Sequence, residues 1–136
     1  MSTIFSKIIA GEVPCFKVYE DEHVLAFLDI NPIQPGHTLV IPKNPSEDGL
    51  TCSPDDLARI MLAAQKIALA LKTVVECDGV NFLMNNGEAA GQKVFHTHLH
   101  IIPRYHDDGV YEEPMPGEYE SGEAEGLAAT LASAVS

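Results

Sequence analysis

Between Phe95 and Ile102 the chain reads Phe-His-Thr-His-Leu-His-Ile-Ile, with imidazoles at every second position: His96, His98 and His100. The alternation, stopped by Pro103, predicts a strand over residues 94–102. Side chains on a strand alternate between faces. The three rings are therefore expected on one face, with Phe95, Leu99 and Ile101 on the other beneath a covering helix. Three imidazoles in a row are costly to bury and do not serve as packing. Two chemistries suit them. One is metal binding, yet the outer pair stands ~13 Å apart on an extended chain, too far to share an ion held ~2 Å from each nitrogen. At most two of the rings could share a metal, and no further Cys or carboxylate follows at ligand spacing. We therefore expect no metal and no cofactor. The other is phosphate chemistry. A neutral imidazole attacks phosphorus, while protonated neighbours donate to phosphate oxygens or a leaving group. Repulsion within the row keeps at least one ring neutral near pH 7. Positioning and charge stabilisation, which such a row and nearby loop N–H groups supply, are most of what that chemistry needs.

The elements that must position these rings are legible in outline. Ile4, Phe5, Ile8 and Ile9 fall on helical spacing behind Ser2 or Thr3 as N-cap, and Gly11 stops the helix. Phe16–Tyr19 and His23–Leu28 read as the two strands of a hairpin around Glu20-Asp21-Glu22. Thr38–Ile41 is a short apolar run stopped by Pro42. Ser53-Pro54-Asp55-Asp56 is a strong helix start. Behind it Leu57, Ile60, Met61, Ala64, Ile67, Leu71, Val74 and Val75 keep a helical rhythm as far as Asp78-Gly79. Val80–Met84 is another strand, and residues 85–93 form a glycine-containing loop before the histidine strand. Connections this short favour antiparallel pairing, so the expected fold is α+β, an antiparallel sheet with helices on one face.

At 136 residues the chain fits one domain. No apolar run approaches the ~20 residues of a membrane span, and the first ten residues lack a signal-peptide layout. We expect a cytoplasmic location. Cys15, Cys52 and Cys77, an odd number without a Cys-x-x-Cys pair, read as reduced buried thiols. Net charge is −12. Residues 107–136 carry eight carboxylates (Asp107, Asp108, Glu112, Glu113, Glu118, Glu120, Glu123 and Glu125) and no Lys or Arg. The chain divides into residues 1–106 and an acidic, solvated tail, 107–136, with a short helix over 123–135 suggested by Leu127, Leu131 and Val135. Without a basic patch to neutralise phosphates, nucleic acid is not a partner.

The run His96-Thr-His-Leu-His-Ile-Ile102 resembles the His-φ-His-φ-His-φ-φ signature of the histidine-triad (HIT) family of nucleotide-binding proteins and hydrolases, in its compact prokaryotic branch. Two further blocks are similar: Asp29-Ile-Asn-Pro-Ile-Gln-Pro-Gly-His-Thr-Leu-Val-Ile-Pro-Lys43 and Asn85-Asn-Gly-Glu-Ala-Ala-Gly-Gln-Lys-Val-Phe95. The resemblance runs from Thr3 to about Tyr105, so that residues 1–106 would be a HIT domain. It implies a hydrolase or transferase acting at the α-phosphate of purine nucleotide derivatives, nucleoside phosphoramidates first and dinucleoside polyphosphates second. His98 would be the nucleophile, forming a nucleotidyl-histidine, flanked by His96 and His100 and supported by His37. By the same resemblance Asp29 would bind the ribose, while Asn85, Gly91, Gln92, Lys93 and Val94 would contact the phosphate. Ile4, Phe5, Ile8, Phe27 and Ile30 would wall the base pocket, and the protein would be a homodimer. A nucleotide-binding signalling module with negligible turnover stays open as a different class of function.

Read from the residues alone, several of these positions have a plainer role. Asp29 could simply cap the turn before Pro32, Ile4, Phe5 and Ile8 could be core, and Gly91 could serve only its turn. Many relatives of this branch hold a structural zinc through a Cys-x-x-Cys pair. Here the matching stretch is Thr3-Ile4-Phe5-Ser6, with Asn44 where a further ligand would stand, and hydroxyls do not replace thiolates. Lys93 departs from the family's small hydroxyl or acid. If it faces the site, it favours longer phosphate chains as a fixed point charge.

Overall fold

In the computed structural model, which describes residues 2–111 and 114–135, the sheet is built from five antiparallel strands. They are β1 (Lys17–Glu20), β2 (Val24–Leu28), β3 (Thr38–Pro42), β4 (Gly79–Leu83) and β5 (Leu99–Arg104), in the order β1-β2-β3-β5-β4. Three helices accompany them: α1 (Ile4–Ile9), α2 (Pro54–Val74) and α3 (Glu123–Ala134), with a 3-10 turn at Glu88–Ala90. Glu112 and Glu113, counted above in the acidic tail, lie outside the described residues.

The α+β antiparallel architecture expected from the sequence is observed, and its two faces are covered differently. Val24, Ala26, Val40, Leu99 and Ile101 pack on one face against Ile60, Ala63, Ala64, Ile67 and Leu71 of α2. The alternate residues Leu25, Phe27, Leu39 and Ile41 cluster on the other with Phe5 of α1. The long helix thus covers its face as expected, and the short one lies on the opposite face. Ser53 caps α2, accepting from the Asp56 N–H, with Pro54 at its first position. Its buried stripe is narrower than the periodicity suggests, since Met61 and Val74 face solvent. The helix ends at Val74, short of Asp78, because Glu76 takes a positive φ of 53° that turns the chain and lets Cys77 into the core.

The largest departure concerns the histidine segment. It is a strand only from Leu99, and it runs on through Pro103 to Arg104. Proline is tolerated there because β3 pairing ends at Thr38↔Ile101, so one side of the strand is already free. Ahead of Leu99 the chain leaves the ladder for the loop after β3. The Thr97 N–H donates to the Ser46 carbonyl (2.9 Å), and the two hydroxyls meet at 2.6 Å. Phe95 is consequently exposed rather than packed under a helix, while Leu99 and Ile101 do lie beneath α2.

The tail starts later than the composition implies. Asp108 takes a bidentate pair from Arg104 (2.8 and 2.7 Å) and further hydrogen bonds from Gln34 and the Tyr105 and Val110 N–H groups. Those donors hold its carboxyl far below the usual range, the Arg104 guanidinium most of all. Beyond it α3 forms within the expected span, but none of its residues is buried.

Candidate active site

A cavity of about 490 Å³ opens on the α1 face of the sheet, where β2, β3, β5 and β4 bring Phe27, Leu39, His100 and Leu83 into cross-strand register. Its walls include Asp29, His37, Asn85, Gly91, Lys93, Val94, His98 and His100. A neighbouring apolar cavity of about 200 Å³ shares Phe5, Asp29 and Leu39 with it. Ile4, Phe5, Ile8, Phe27 and Ile30, the five positions named for a base pocket, all line that second cavity.

Hydrogen bonds settle how the rings are protonated, because a backbone carbonyl only accepts and a backbone N–H only donates. His98 Nδ1 lies 2.7 Å from the His96 carbonyl and so carries the proton. Its Nε2 therefore keeps a lone pair, at the far end of a ring that lines the cavity. The Ile33 N–H donates to His37 Nδ1 at 3.1 Å, so the His37 proton is on Nε2. That nitrogen is 2.9 Å from His100 Nδ1, which must accept. His100 is left with an Nε2–H donor. One backbone amide thus fixes the tautomers of two rings in series, and the result is a lone pair on His98 and a donor on His100, rings 5.0 Å apart.

The rings are held neutral. Burial pushes His98 and His37 below the ordinary histidine range, with Asp29 opposing only in part. His100 is driven down to about 4, first by burial and then by His98 and His37 beside it. The sequence reading, in which protonated neighbours donate to phosphate, is corrected accordingly: the donor is a neutral N–H.

His96 departs further from expectation. Only 2% exposed, it does not line the cavity, and its Nε2 donates to the Pro42 carbonyl at 2.8 Å. Its ring takes the place of a strand partner at the end of β3. It acts on the site through its own carbonyl, which orients His98, and by packing edge-on with Phe5, whose ring also meets His98 at 5.0 Å.

Asp29 caps its turn and also reaches the cavities. Its Oδ1 caps the turn by accepting from the Asn31 N–H (2.9 Å), and its Oδ2 sits 3.7 Å from His37 Nε2 where both cavities meet. Asn85, Gly91, Lys93 and Val94 are brought to the cavity wall. Gly91 has a φ of 98°, so the turn calls for glycine, while a Cβ there would meet the Asn85 amide at 3.4 Å, an ordinary contact. Gln92 is not brought there. It is 3% exposed and bonded at both ends of its amide: Oε1 accepts from Gly87 N–H (2.8 Å), and Nε2 donates to the Glu47 (2.7 Å) and Val94 (3.0 Å) carbonyls. It fastens the loop instead of touching the cavity. Sequence reasoning missed Asn31, Ile33, Leu39 and Leu83 in the first cavity and Val13, Pro14, Cys15 and Leu28 in the second. Leu39 and Leu83 follow only once the register opposite His100 is known.

The residues do not fit a structural zinc. Thr3 and Ser6 are engaged with each other in the capping box of α1, Asn44 offers only a neutral amide, and His96 Nε2 is taken by Pro42. Among the described residues Asp29, His37 and His100 place one ligand atom each within 4.8 Å of the others, but the facing nitrogens of the two rings already share a hydrogen bond.

Comparison with known proteins identifies the family of this fold. The model of the HIT domain matches residues 10–107. The chain belongs to the HIT domain family. The protein hit of Bacillus subtilis is 56% identical over 102 residues, covering 75% of this chain and 70% of that protein. A crystal structure of a HIT family protein from Bacillus anthracis, 46% identical, superposes with a TM-score of 0.90 over 98% of this chain and 96% of that one. The adenylylsulfatase HINT3 of Arabidopsis thaliana is 45% identical over 108 residues, 79% of this chain and 55% of that protein. A nucleotide ligand for this HIT chain is in keeping with those matches, and no helix of the described residues is long and apolar enough to cross a membrane.

Proposed function

We propose that this protein hydrolyses purine nucleotide conjugates at the α-phosphorus, nucleoside phosphoramidates foremost, through a nucleotidyl intermediate on His98. The observation that carries the reading is the pairing of protonation states: a lone pair on His98 Nε2 beside an Nε2–H on His100, both set by hydrogen bonds to backbone and to His37. His98 Nε2 forms a bond to phosphorus as the P–N bond of the conjugate breaks; the departing amine takes its proton from solvent, while the His100 Nε2–H donates a hydrogen bond to a phosphoryl oxygen. Water then attacks phosphorus, loses a proton to solvent, and releases His98 with the nucleoside monophosphate. The Asp29 Oδ2 at the junction of the two cavities suits a ribose diol. The apolar cavity lined by Phe5 and Phe27 suits the base, and the Gly91–Val94 turn suits the phosphate oxygens.

Edge strand β4 exposes Phe82 and Leu83, and α2 exposes Leu62 and Leu69, which supports assembly as a homodimer. Three free cysteines support a reducing, cytoplasmic setting. The test is His98→Asn. Turnover of an adenosine phosphoramidate should fall by several orders of magnitude while AMP binding persists. Substantial residual turnover would move the nucleophile elsewhere.

A further inference from the structure

A third cavity, of about 450 Å³, opens beside the Lys93–Val94 turn. It shares Lys93 and Val94 with the catalytic cavity, and its other walls are Thr3, Ile4, Glu47 and Phe95. The three cavities adjoin one another: the apolar one meets the catalytic one at Phe5, Asp29 and Leu39, the catalytic one meets the third at Lys93 and Val94, and Ile4 lines both the apolar one and the third. A conjugate with its base in the apolar cavity and its phosphorus beside His98 has its leaving group still to place, and the third cavity shares the Lys93–Val94 wall with the catalytic one.

The walls of that cavity are chemically distinct. Lys93 is the one Lys or Arg lining the catalytic cavity, and among the described residues neither Lys93 nor Glu47 has a salt-bridge partner. Ile4 and Phe95, both more than two-fifths exposed, supply an apolar surface between them. The two charges sit on a braced frame. The loop bearing Glu47 is fastened to the turn bearing Lys93 by the two carbonyls that Gln92 holds, and to the histidine segment by the Ser46–Thr97 bonds. The backbone at Glu47 and at Lys93 is thereby held in place relative to the histidine segment.

We propose that Lys93 and Glu47 select the leaving group: an amine that carries a carboxylate close to the scissile P–N bond and an apolar or basic portion beyond it. Lys93, on the wall common to both cavities, pairs with the carboxylate, Ile4 and Phe95 take the apolar portion, and Glu47 repels a second negative charge or pairs with a distal cation. The inference rests on the hydrolase reading above and names the substrate class within it.

The test compares kcat/KM for three adenosine phosphoramidates: a plain alkylamine, the same amine bearing one carboxylate, and one bearing a second, distal carboxylate. Wild type should favour the mono-carboxylate over the plain amine by roughly three- to tenfold, a range set by one partly exposed charge pair. Lys93→Ala should abolish that preference and Lys93→Arg restore it. Glu47→Gln should raise the relative rate of the distally charged substrate by a similar factor. Both side chains are exposed, so the variants fold as wild type does, which thermal unfolding checks. Preferences unchanged by Lys93→Ala and Glu47→Gln overturn the subsite while leaving the hydrolase reading intact. Failure of wild type to turn over any of the three overturns the reading beneath it, and this inference with it.

Discussion

Gln92 separates two accounts of the loop beside the histidines. Family resemblance makes it a phosphate contact, whereas the structure buries it, with its amide bonded to Gly87, Glu47 and Val94. Replacement by leucine keeps most of the volume and removes all three hydrogen bonds, leaving one N–H and two carbonyls without their partner. At about 1 kcal/mol net for each bond the loss is ~3 kcal/mol, a large fraction of the ~5–15 kcal/mol that holds a domain together. For a chain of this size that corresponds to a fall in Tm of ~10 °C. Thermal unfolding followed by circular dichroism reads the first effect, and AMP titration well below the transition reads the second. We expect a large drop in Tm with AMP affinity nearly retained. An unchanged Tm together with a tenfold loss of AMP affinity would refute the structural role and return Gln92 to the phosphate.

Other expectations follow from the site. The folded-state pKa of His98 lies below the ordinary 6.5, so its lone pair survives mild acid. The acid limb of kcat/KM should fall below pH 6.5, and a limb centred at or above 6.5 would contradict the burial argument. Stability follows the same sign. His100 titrates near 4 when folded and near 6.5 when unfolded, so the unfolded chain binds more protons between those values. Stability is complete above about 6.5 and declines as pH falls toward 4. The full difference of ~3 kcal/mol, discounted for partial exposure, leaves about 2 kcal/mol. His100→Gln should flatten that decline in urea titrations, and an unaltered slope would count against it. Asp29→Asn keeps an oxygen for the turn and removes the charge. It should weaken ribonucleotide binding by ~1–3 kcal/mol but leave a 2′,3′-dideoxy analogue unaffected, and equal losses for both would remove the diol role. Protein purified without added metal should contain no zinc, and stoichiometric zinc by elemental analysis would overturn the reading of Thr3, Ser6 and Asn44.

The candidate site was legible wherever it depended on residue type at fixed spacing. The His96–His100 run, the carboxylate of Asp29 after an apolar strand, and the α2 start at Ser53-Pro54 all announced themselves, and each lies in a local pattern. What escaped was set by contacts distant in sequence. Alternation put His96, His98 and His100 on one face of a strand, but the bonds between Thr97 and Ser46 pull the first two off the ladder and bury His96 against Pro42. The family resemblance makes Gln92 a ligand, and its bonds to Gly87, Val94 and Glu47, the last forty-five residues away, give its amide a structural role instead. The protonation of His100 depends on the Ile33 amide, reached through His37, and no spacing rule records it. Asp108 read as part of a solvated tail because composition cannot see the Arg104 fork that holds it.

The central claim is that His98 Nε2 becomes bonded to phosphorus during turnover. Intact-mass spectrometry of EDTA-treated protein, quenched in the first turnover with an adenosine phosphoramidate, tests this directly. The account predicts an added AMP that peptide mapping places on His98, with AMP released into solution without metal, and neither adduct nor release in His98→Asn. Turnover at full rate with no adduct at any quench time, or an adduct that persists in His98→Asn, would contradict it.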